Sequence, residues 1–342
     1  MAQRDDGGEL LANELLETMY GYWKSQAIHA FAHLNLADLL WDNPRNASSL
    51  ADDIPADPSA LERLLRASCT LGLVTHERDG QFAITEKGRM LSERSPRSVR
   101  NWTRWWGQHL WPVWGNLVYS VQSGHSARAM LTGTKGFAHI EHDPQSAMIF
   151  NKGLAEITRL VAHDIIRAYD FSIYHTVMDL GGGFGQLLAL ILAENPKMKG
   201  ILVDLPHAIG ESHEFWSKLG AEERCLRIEG DFFAGIPATA ELVILKSVLH
   251  DWDDQDAARI LDVCRRDMSS GTKLLLIERV VPQEMIESPS HQAIARGDLA
   301  MLVTHGAKER SETEYRALLS ASGFTITRIV ATDSGFTILE AE

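Results

Sequence analysis

The sequence predicts an α/β fold, a mostly parallel sheet with an antiparallel edge at its C-terminal end, preceded by a mainly helical domain. Residues 177–186 change from a strand-like run into glycines and then into the helix-like apolar run 187–192. Such a turn places backbone N–H groups at a helix N-terminus, where they suit an anionic group. Asp204 ends the next apolar run, roughly 20 residues later, as expected for an acid that hydrogen-bonds ribose hydroxyls. Together these features predict a nucleoside-binding edge of the sheet.

Length, cysteine content and charge narrow the class of protein. A chain of 342 residues can form two domains with a sizeable core. Cys69, Cys225 and Cys264 lie far apart without metal-ligand spacing, which suits a reducing compartment. We find no signal peptide and no run of membrane-spanning length, so we expect a cytoplasmic protein without a membrane partner. A formal charge of −13 disfavours nucleic acid as a partner.

The first hundred residues predict a winged-helix order. Apolar residues recur at helical spacing over residues 13–40, after a polar stretch 1–9 that we expect to fray, and two shorter helices follow at 48–51 and 58–71. We expect serines to cap the first of these short helices, and Asp57 or Pro58 to begin the second. Residues 73–76 and 81–84 flank a turn that indicates a hairpin. The helix before it carries only two arginines and follows three acids, so we favour a dimerisation module over a DNA reader.

Residues 99–172 are predicted to be helical and are rich in tryptophan, with five between positions 102 and 114. Most of these indole rings suit helix packing or a dimer interface, whereas one or two, Trp106 among them, could line an apolar pocket for a flat substrate. Residues 133–143 interrupt the helices with glycines and polar residues, as a loop over a site would. We place the domain boundary near residue 110, giving a dimerisation domain at 1–110 and a helical linker with the catalytic domain at 111–342.

Three polar side chains follow buried strands in the catalytic half. His250 comes shortly after the apolar run 242–245, Glu278 directly follows 273–277, and Asp231 follows the short strand near residue 228. In an open α/β sheet, residues just past the carboxyl ends of parallel strands face the ligand crevice. His250 is therefore a catalytic candidate by position.

The glycine pattern decides between nucleoside ligands. A dinucleotide fingerprint requires glycine or alanine where this chain has Gln186, and the pattern present is Asp179-x-Gly181-x-Gly183-x-Gly185. This motif resembles that of class I S-adenosylmethionine (SAM) methyltransferases. With residues 204–207, 230–233 and 246–254, the chain resembles the small-molecule O-methyltransferases, both the plant caffeate and flavonoid enzymes and the bacterial antibiotic and phenazine tailoring enzymes.

The resemblance implies a fold and a set of roles. The fold is a Rossmann-like SAM-methyltransferase domain behind a winged-helix dimerisation domain, and the assembly is a homodimer. The implied general base is His250, steered by Glu278 and Glu309. An exposed charge cluster with Lys308 and Arg310 is the alternative for Glu309. The cofactor is SAM, with S-adenosylhomocysteine as product, and its implied contacts are Gly181, Gly183, Asp204, Leu205, Asp231, Phe232 and Lys246.

The expected substrate pocket contains Trp106, Phe150, Asn151, Leu154, Asp251, Met301 and His305. Met301 matches a substrate-lining methionine of the family. Two departures from the family pattern concern the acceptor side: residues 150–154 lose a pocket methionine, and His305 stands where plant members often carry asparagine. No metal is expected, because no ligand cluster appears at the strand ends and a histidine base makes a metal unnecessary.

The predicted activity is methyl transfer from SAM to a hydroxyl of a phenolic, polyketide or phenazine-like molecule. Methyl transfer is an in-line displacement, so the enzyme must align acceptor and donor and remove the acceptor's proton. A histidine with a carboxylate on its other ring nitrogen suits that second task. Two alternatives stay open: a SAM-binding relative with hydroxylase, decarboxylase or cyclase chemistry, and a winged-helix DNA-binding regulator.

Overall fold

The computed structural model describes residues 6–141, 143–209 and 213–342. These residues form two compact units, one ending at His109 and the other spanning Leu110–Glu342. The domain limits predicted from the sequence, 1–110 and 111–342, stay predictions.

The first unit is mainly helical with one small hairpin. A single π-helical turn, Trp106–Leu110, follows its last α-helix. The elements are α1 (Asp6–His33), α2 (Leu36–Leu39), α3 (Ala47–Ala51), α4 (Pro58–Thr70), β1 (Val74–His76), β2 (Phe82–Ile84), α5 (Glu86–Arg89) and α6 (Arg100–Trp105).

The hairpin confirms the predicted winged-helix order, since β1 pairs antiparallel with β2 directly after α4. Two local predictions were wrong. Asn46, not a serine, caps α3, because its side chain accepts a hydrogen bond from the backbone of Ser49. Residues 6–9 are the first turn of α1, while residues 1–5 lie outside the described part of the chain. The predicted start of α4 is confirmed, with Asp57 accepting from Ala60 N at 2.8 Å.

The second unit alternates strands and helices after an all-helical stretch. Its helices are α7 (Trp111–Trp114), α8 (Leu117–Ser123), α9 (Ala127–Thr132), α10 (Ala138–Glu141), α11 (Pro144–Ala168), α12 (Gln186–Glu194), α13 (Pro206–Ile209), α14 (His213–Lys218), α15 (Asp254–Asp267), α16 (Pro289–His305) and α17 (Glu312–Ala321). Its strands are β3 (Thr176–Leu180), β4 (Lys199–Asp204), β5 (Cys225–Glu229), β6 (Leu242–Lys246), β7 (Lys273–Glu278), β8 (Val280–Val281), β9 (Arg310–Ser311), β10 (Ile326–Ala331) and β11 (Thr337–Ala341). The predicted loop at 133–143 is thus partly helical, at α10.

The main sheet has the strand order β10-β11-β7-β6-β3-β4-β5. The strands from β3 to β7 pair in parallel, whereas β11 pairs antiparallel with both β7 and β10. This confirms the predicted antiparallel edge. From β3 the chain proceeds outward through β4 and β5 and then returns to β6 on the other side of β3. The order therefore reverses between β3 and β6, and the carboxyl ends at such a point form a ligand crevice.

Buried apolar clusters cover both faces of this sheet. Val177 contributes to one cluster with α11 and α12, whereas Met178 contributes to the other with α15 and α17, as the alternation of side chains along a strand requires. Burial on both faces explains why the strands read as continuous apolar runs. Among the described residues, no helix has both the length and the apolar character needed to cross a bilayer.

Candidate active site

The candidate active site lies where β3, β4, β6 and β7 end. The glycine turn follows β3, Asp204 ends β4, Lys246 ends β6 and Glu278 ends β7. Because neighbouring parallel strands end at one edge of the sheet, these residues converge there. Five residues, 181–185, connect the end of β3 to the start of α12.

Asp204 is tied to the glycine turn by two backbone hydrogen bonds. Gly183 N donates to Asp204 Oδ2 at 2.6 Å and Leu205 N donates to Asp204 Oδ1 at 2.7 Å. Burial raises the pKa of Asp204, and these two N–H groups oppose that shift. At Gly183 the backbone has φ 58°, and an added Cβ would meet no atom within 4 Å. The turn is therefore open on that side. Its residues fit a nucleoside whose ribose hydroxyls would donate hydrogen bonds to Asp204.

Of the remaining predicted cofactor contacts, Gly181 and Phe232 meet at this turn. Gly181 faces Phe232, whose ring carbon lies 3.4 Å from the position of an added Cβ. Phe232 is partly buried and Asp231 is exposed. Lys246 is half-buried, and its Nζ donates to Thr158 Oγ1 at 3.3 Å. Burial lowers the pKa of Lys246, while the Asp179 and Glu278 carboxyl groups oppose that change.

His250 lies in a 3-10 turn, Leu249–Asp251, with two glutamates on one side of its ring. His250 Nδ1 lies 2.9 Å from Glu309 Oε1 and 3.7 Å from Glu278 Oε2. His250 Nε2 lies 3.6 Å from Asp251 Oδ1. Hydrogen bonding to Glu309 places a proton on Nδ1, so that in the neutral ring Nε2 carries the free lone pair.

The electrostatics of this cluster favour a protonated imidazole. Burial alone would lower the pKa of His250, but the carboxyl groups of Glu309, Glu278 and Asp251 outweigh it and raise that pKa to about 10. Burial raises the pKa of Glu278 to about 7 and that of Asp251 to about 6, with His250 opposing both shifts. In its neutral form, the histidine can thus take up a proton from a group as weakly acidic as a phenol, whose pKa is near 10.

Glu278 and Arg310 fix the backbone that carries His250. Glu278 Oε1 accepts from Val248 N at 3.1 Å and from Leu249 N at 2.9 Å. Arg310 is fully buried and donates to Leu249 O at 2.7 Å and to Trp252 O at 2.8 Å. The turn is therefore held from both sides.

The alternative reading of Glu309 as part of an exposed charge cluster is wrong. Its side chain is 2 % exposed, and the neighbouring Arg310 is buried as well. Only Lys308 of the three is substantially exposed, where it pairs with Glu314 and Asp254. The side chains of these three consecutive charged residues therefore lie in different surroundings.

The three-residue cluster also has the spacing of a metal site. Ligand atoms of His250, Glu278 and Glu309 all lie within 4.8 Å of one another. The family resemblance implies a base with two steering acids, and no metal-ligand cluster was expected at the strand ends, whereas the ligand atoms of these three residues do lie together. In the arrangement described here, a protonated His250 itself supplies the positive charge between the two carboxyl groups.

Two of the predicted pocket residues lie close to His250, Asp251 directly and His305 beside Asp251. Two more, Phe150 and Met301, are placed by the helices that carry them. His305 Nε2 is 3.5 Å from Asp251 Oδ1, and burial holds the pKa of His305 well below its usual value. Phe150 and Met301 are partly buried on α11 and α16, the helix that ends at His305.

The structure gives less support to the other three predicted pocket residues. Asn151 is buried, and its amide donates to His207 O at 3.2 Å. Leu154 is 37 % exposed on α11. Trp106 belongs to the first unit, so its place in a pocket stays a prediction.

Several residues at the site were missed by sequence reasoning. The ring of Phe137 lies 5.0 Å from that of His305, 5.7 Å from Phe150 and 6.4 Å from Trp252. Phe137 was within reach of prediction, since it is the aromatic residue in the glycine-containing segment expected to lie over a site. Arg128 gave a weaker signal, a single charge in the otherwise uncharged α9.

Asp179 was used as part of the motif but not as a site residue. It is 2 % exposed, and its Oδ1 accepts no hydrogen bond from the described residues. Burial raises the pKa of Asp179 to about 7, although Lys246 lowers it. A Cβ added at Gly182 would lie 2.6 Å from this carboxyl group, which requires glycine at that position of the turn.

Comparison with known protein families gives two matches along the chain. A family model for an O-methyltransferase domain matches residues 114–325. A model for an O-methyltransferase dimerisation domain matches residues 16–94.

Three similar curated proteins come from bacteria. Phenazine O-methyltransferase PhzM of Lysobacter antibioticus is 37 % identical over 335 residues, 98 % of this chain and 97 % of that protein. O-demethylpuromycin-O-methyltransferase of Streptomyces alboniger is 34 % identical, covering 96 % and 88 %. An 8-amino-8-demethylriboflavin N,N-dimethyltransferase of Streptomyces davaonensis is 30 % identical, covering 92 % and 90 %.

Solved structures agree along the whole length. The crystal structure of LaPhzM superposes with a TM-score of 0.93 at 37 % identity, covering 97 % of this chain and 99 % of that one. Human N-acetylserotonin methyltransferase in complex with SAM superposes with a TM-score of 0.86 at 27 % identity, covering 100 % and 99 %.

Proposed function

The chain belongs to the O-methyltransferase family, and we propose from that premise that it transfers a methyl group from SAM to a hydroxyl of an aromatic small molecule, with His250 as general base. As a SAM-dependent methyltransferase of the phenazine and antibiotic-tailoring type, it binds an electrophilic methyl group on a cationic sulfur. The observation that carries the proposal is the 2.9 Å contact between His250 Nδ1 and Glu309 Oε1.

This contact gives the histidine its direction. With Nδ1 donating to Glu309, the Nε2 atom accepts the proton of the acceptor hydroxyl. The oxygen left behind carries more negative charge and is the better nucleophile. Glu309 and Glu278 then stabilise the imidazolium that forms, because both carboxyl groups lie on its Nδ1 side.

The donor's proposed place is the edge formed by the glycine turn. In this proposal, Asp204 accepts hydrogen bonds from the ribose hydroxyls, and Asp231 and Phe232 bind the adenine. The nucleoside is lined by Gly181, Gly183 and Leu205. The orientation of Asp204 by two N–H groups supports this role, since a fixed carboxylate loses little freedom on binding. We place Lys246 near the donor, at the end of β6.

The acceptor's proposed place is the aromatic side of the cluster. Phe150, Asp251, Met301 and His305 line it, and Phe137 extends the same wall. Flat rings suit such surroundings because aromatic faces bury large area with few mobile torsions.

Turnover of a panel of hydroxylated aromatics with SAM tests the proposal. The panel holds phenylpropanoids, flavonoids, anthraquinones and hydroxyphenazines, with the matching aromatic amines as controls. We expect S-adenosylhomocysteine and a product heavier by one methyl group in equal amounts, with the new methyl on oxygen by NMR. We also expect the rate to be insensitive to a chelator.

Each other result points elsewhere. Methylation confined to the amines would replace hydroxyl by amino acceptors, as the N,N-dimethyltransferase relative illustrates. A product without added methyl mass would favour a hydroxylase, decarboxylase or cyclase. Loss of activity with a chelator, restored by a divalent metal, would replace the histidine mechanism with a metal-dependent one.

A further inference from the structure

Arg128 is a buried cation without a hydrogen-bonding partner for its side chain. It lies on α9 and is 5 % exposed. No described residue accepts a hydrogen bond from its guanidinium, and no described acid lies within ion-pair distance of it. A guanidinium has five N–H donors in a planar fork, and none of those of Arg128 is used by a described acceptor. A guanidinium in this state can bind an anion through two parallel hydrogen bonds.

Arg128 lies on α9, whose position is fixed by contacts with α16, the helix that carries Met301 and His305. Ser126, the N-cap of α9, donates through Oγ to Thr304 O at 2.7 Å, and Gly306 packs against it. These contacts dock α9 on the end of α16, which carries Met301 and His305. The first turn of α9, with Arg128, therefore keeps a set place beside that end of α16.

The charged groups near Arg128 belong to the acceptor side of the site. Burial lowers the pKa of Arg128 to about 10, opposed by the carboxyl group of Asp251. Arg128 in turn helps hold the pKa of His305 below its usual value. Asp251 is already shared between His250 and His305, at 3.6 and 3.5 Å. It is therefore an electrostatic neighbour of Arg128 rather than its partner.

We propose that Arg128 binds a carboxylate carried by the aromatic acceptor, so that the substrates are hydroxylated aromatic carboxylic acids. This inference deepens the proposed function and rests on it for the identity of the site. A carboxylate matches the guanidinium fork with two parallel hydrogen bonds, which a hydroxyl or a ring carbonyl cannot make. It also orients a flat ring, since one edge is pinned at Arg128 while the hydroxyl lies at His250.

Binding measurements test the carboxylate without requiring turnover. Two pairs of probes differ only in the carboxylate: 5-hydroxy-1-naphthoate with 1-naphthol, and 6-hydroxyphenazine-1-carboxylate with 1-hydroxyphenazine. Calorimetry with the full-length protein saturated with S-adenosylhomocysteine gives each Kd. We expect the wild type to prefer the carboxylated member of at least one pair by about 10-fold or more, as a charge-assisted hydrogen bond requires.

The variant Arg128→Gln isolates the charge. We expect about 10- to 100-fold weaker binding of the carboxylated probe and less than about 2-fold change for its partner. Arg128→Lys keeps the charge without the fork, so its Kd should fall between the two. The matched control is Arg316→Gln, an exposed arginine of α17, which should leave every Kd unchanged.

The outcomes separate this inference from the proposed function. Equal binding of paired probes by the wild type, or equal weakening of both by Arg128→Gln with a native circular dichroism spectrum, overturns the carboxylate role. If Arg128→Gln does not fold, the Arg128→Lys measurement decides in the same way. A preference for carboxylated probes without any methylated product would instead leave Arg128 as proposed and remove hydroxyl methylation.

Discussion

At the scale of single residues, the proposed chemistry depends on how three acids surround one imidazole. Glu309 and Glu278 lie on the Nδ1 side of His250, and Asp251 lies on the Nε2 side. A histidine in solution would be mostly neutral at pH 7, whereas the pKa of about 10 here makes it a stronger base. Its proton affinity then matches that of a phenolate, and proton transfer between the two is nearly balanced.

Replacing His250 with asparagine should remove the base and little else. We expect kcat/KM to fall roughly 100- to 10,000-fold, the usual contribution of general base catalysis. The Kd for S-adenosylhomocysteine, measured by calorimetry, should stay within about 2-fold. His163→Asn, a change at an exposed histidine of α11, is the matched control. Turnover near the wild-type rate in His250→Asn would show that another group accepts the proton.

Replacing Glu309 with glutamine should move the pH profile. His250 acts as a base only when neutral, and an anion beside it raises the pH at which it becomes neutral. The wild-type kcat should therefore rise with pH above 6.5, the ordinary histidine pKa. Removing the Glu309 charge should shift that rise to lower pH by about one unit or more.

The profile of Glu309→Gln has a direct control. Glu312→Gln removes an exposed carboxylate that pairs with Arg316 at 2.8 Å, and it should leave the profile in place. Rates are measured at saturating SAM and acceptor, so that the profile reports the bound enzyme. An unchanged or upward-shifted rise in Glu309→Gln would contradict the electrostatic role of Glu309.

At the scale of elements, the 3-10 turn Leu249–Asp251 depends on a residue far along the chain. Arg310, on β9, bonds two carbonyl groups of this segment and also Asp254 Oδ1 at 2.9 Å. All three bonds come from one guanidinium fork. Arg310 is therefore a positioning residue for His250.

Arg310→Lys should lower the stability of the protein and its kcat while leaving donor binding unchanged. An ammonium group cannot span the three acceptors, so we expect unfolding to become easier by about 2–4 kcal/mol. Displacement of His250 should lower kcat by roughly 10- to 100-fold, with the KM for SAM nearly unchanged. Rates are compared well below the melting temperature, with Arg316→Lys as control. An unchanged kcat in a destabilised Arg310→Lys protein would reduce Arg310 to a purely structural role.

Elements and their order were largely predictable from the sequence. The strands that end in Asp204, Lys246 and Glu278 are continuous apolar runs because both faces of the sheet are covered. The glycine turn was readable because its bends require positive φ, as at Gly183. Asn46 was missed as a cap because Ser48 and Ser49, two and three residues later, have the same capping chemistry.

Long-range partners were harder to predict. That Glu309 is buried against His250 could not be read from its neighbours Lys308 and Arg310, whose charges indicated an exposed segment. Only tertiary packing turns these adjacent side chains to different surroundings. Arg128 shows the same limit, since a single arginine on a short helix gives no sign of its burial without the fold.

At the scale of the whole molecule, the open question is what covers α1. Over its first eighteen residues this helix exposes large apolar side chains, and only its last two turns enter the buried core. The exposed apolar side chains are Leu10, Leu11, Leu15, Leu16, Met19, Tyr20, Tyr22 and Trp23. So many large apolar side chains exposed on one helix mark an interaction site. The dimerisation-domain match begins at residue 16 and covers five of these eight side chains, so we propose that a second copy of the chain covers α1.

Charges placed on α1 should separate the dimer. Leu11, Leu15 and Met19 are four residues apart and lie on one face of the helix. Analytical ultracentrifugation is run at protein concentrations from about 0.1 to 50 μM, a range over which an obligate dimer stays associated. The wild type should have a mass twice the 38.1 kDa of one chain. Leu11→Glu combined with Leu15→Glu should give one chain mass, because dimerisation would bury both new charges. Ile286→Glu, at an exposed aliphatic residue of the second unit, should remain dimeric. A wild-type protein of one chain mass across this range would leave α1 for another partner.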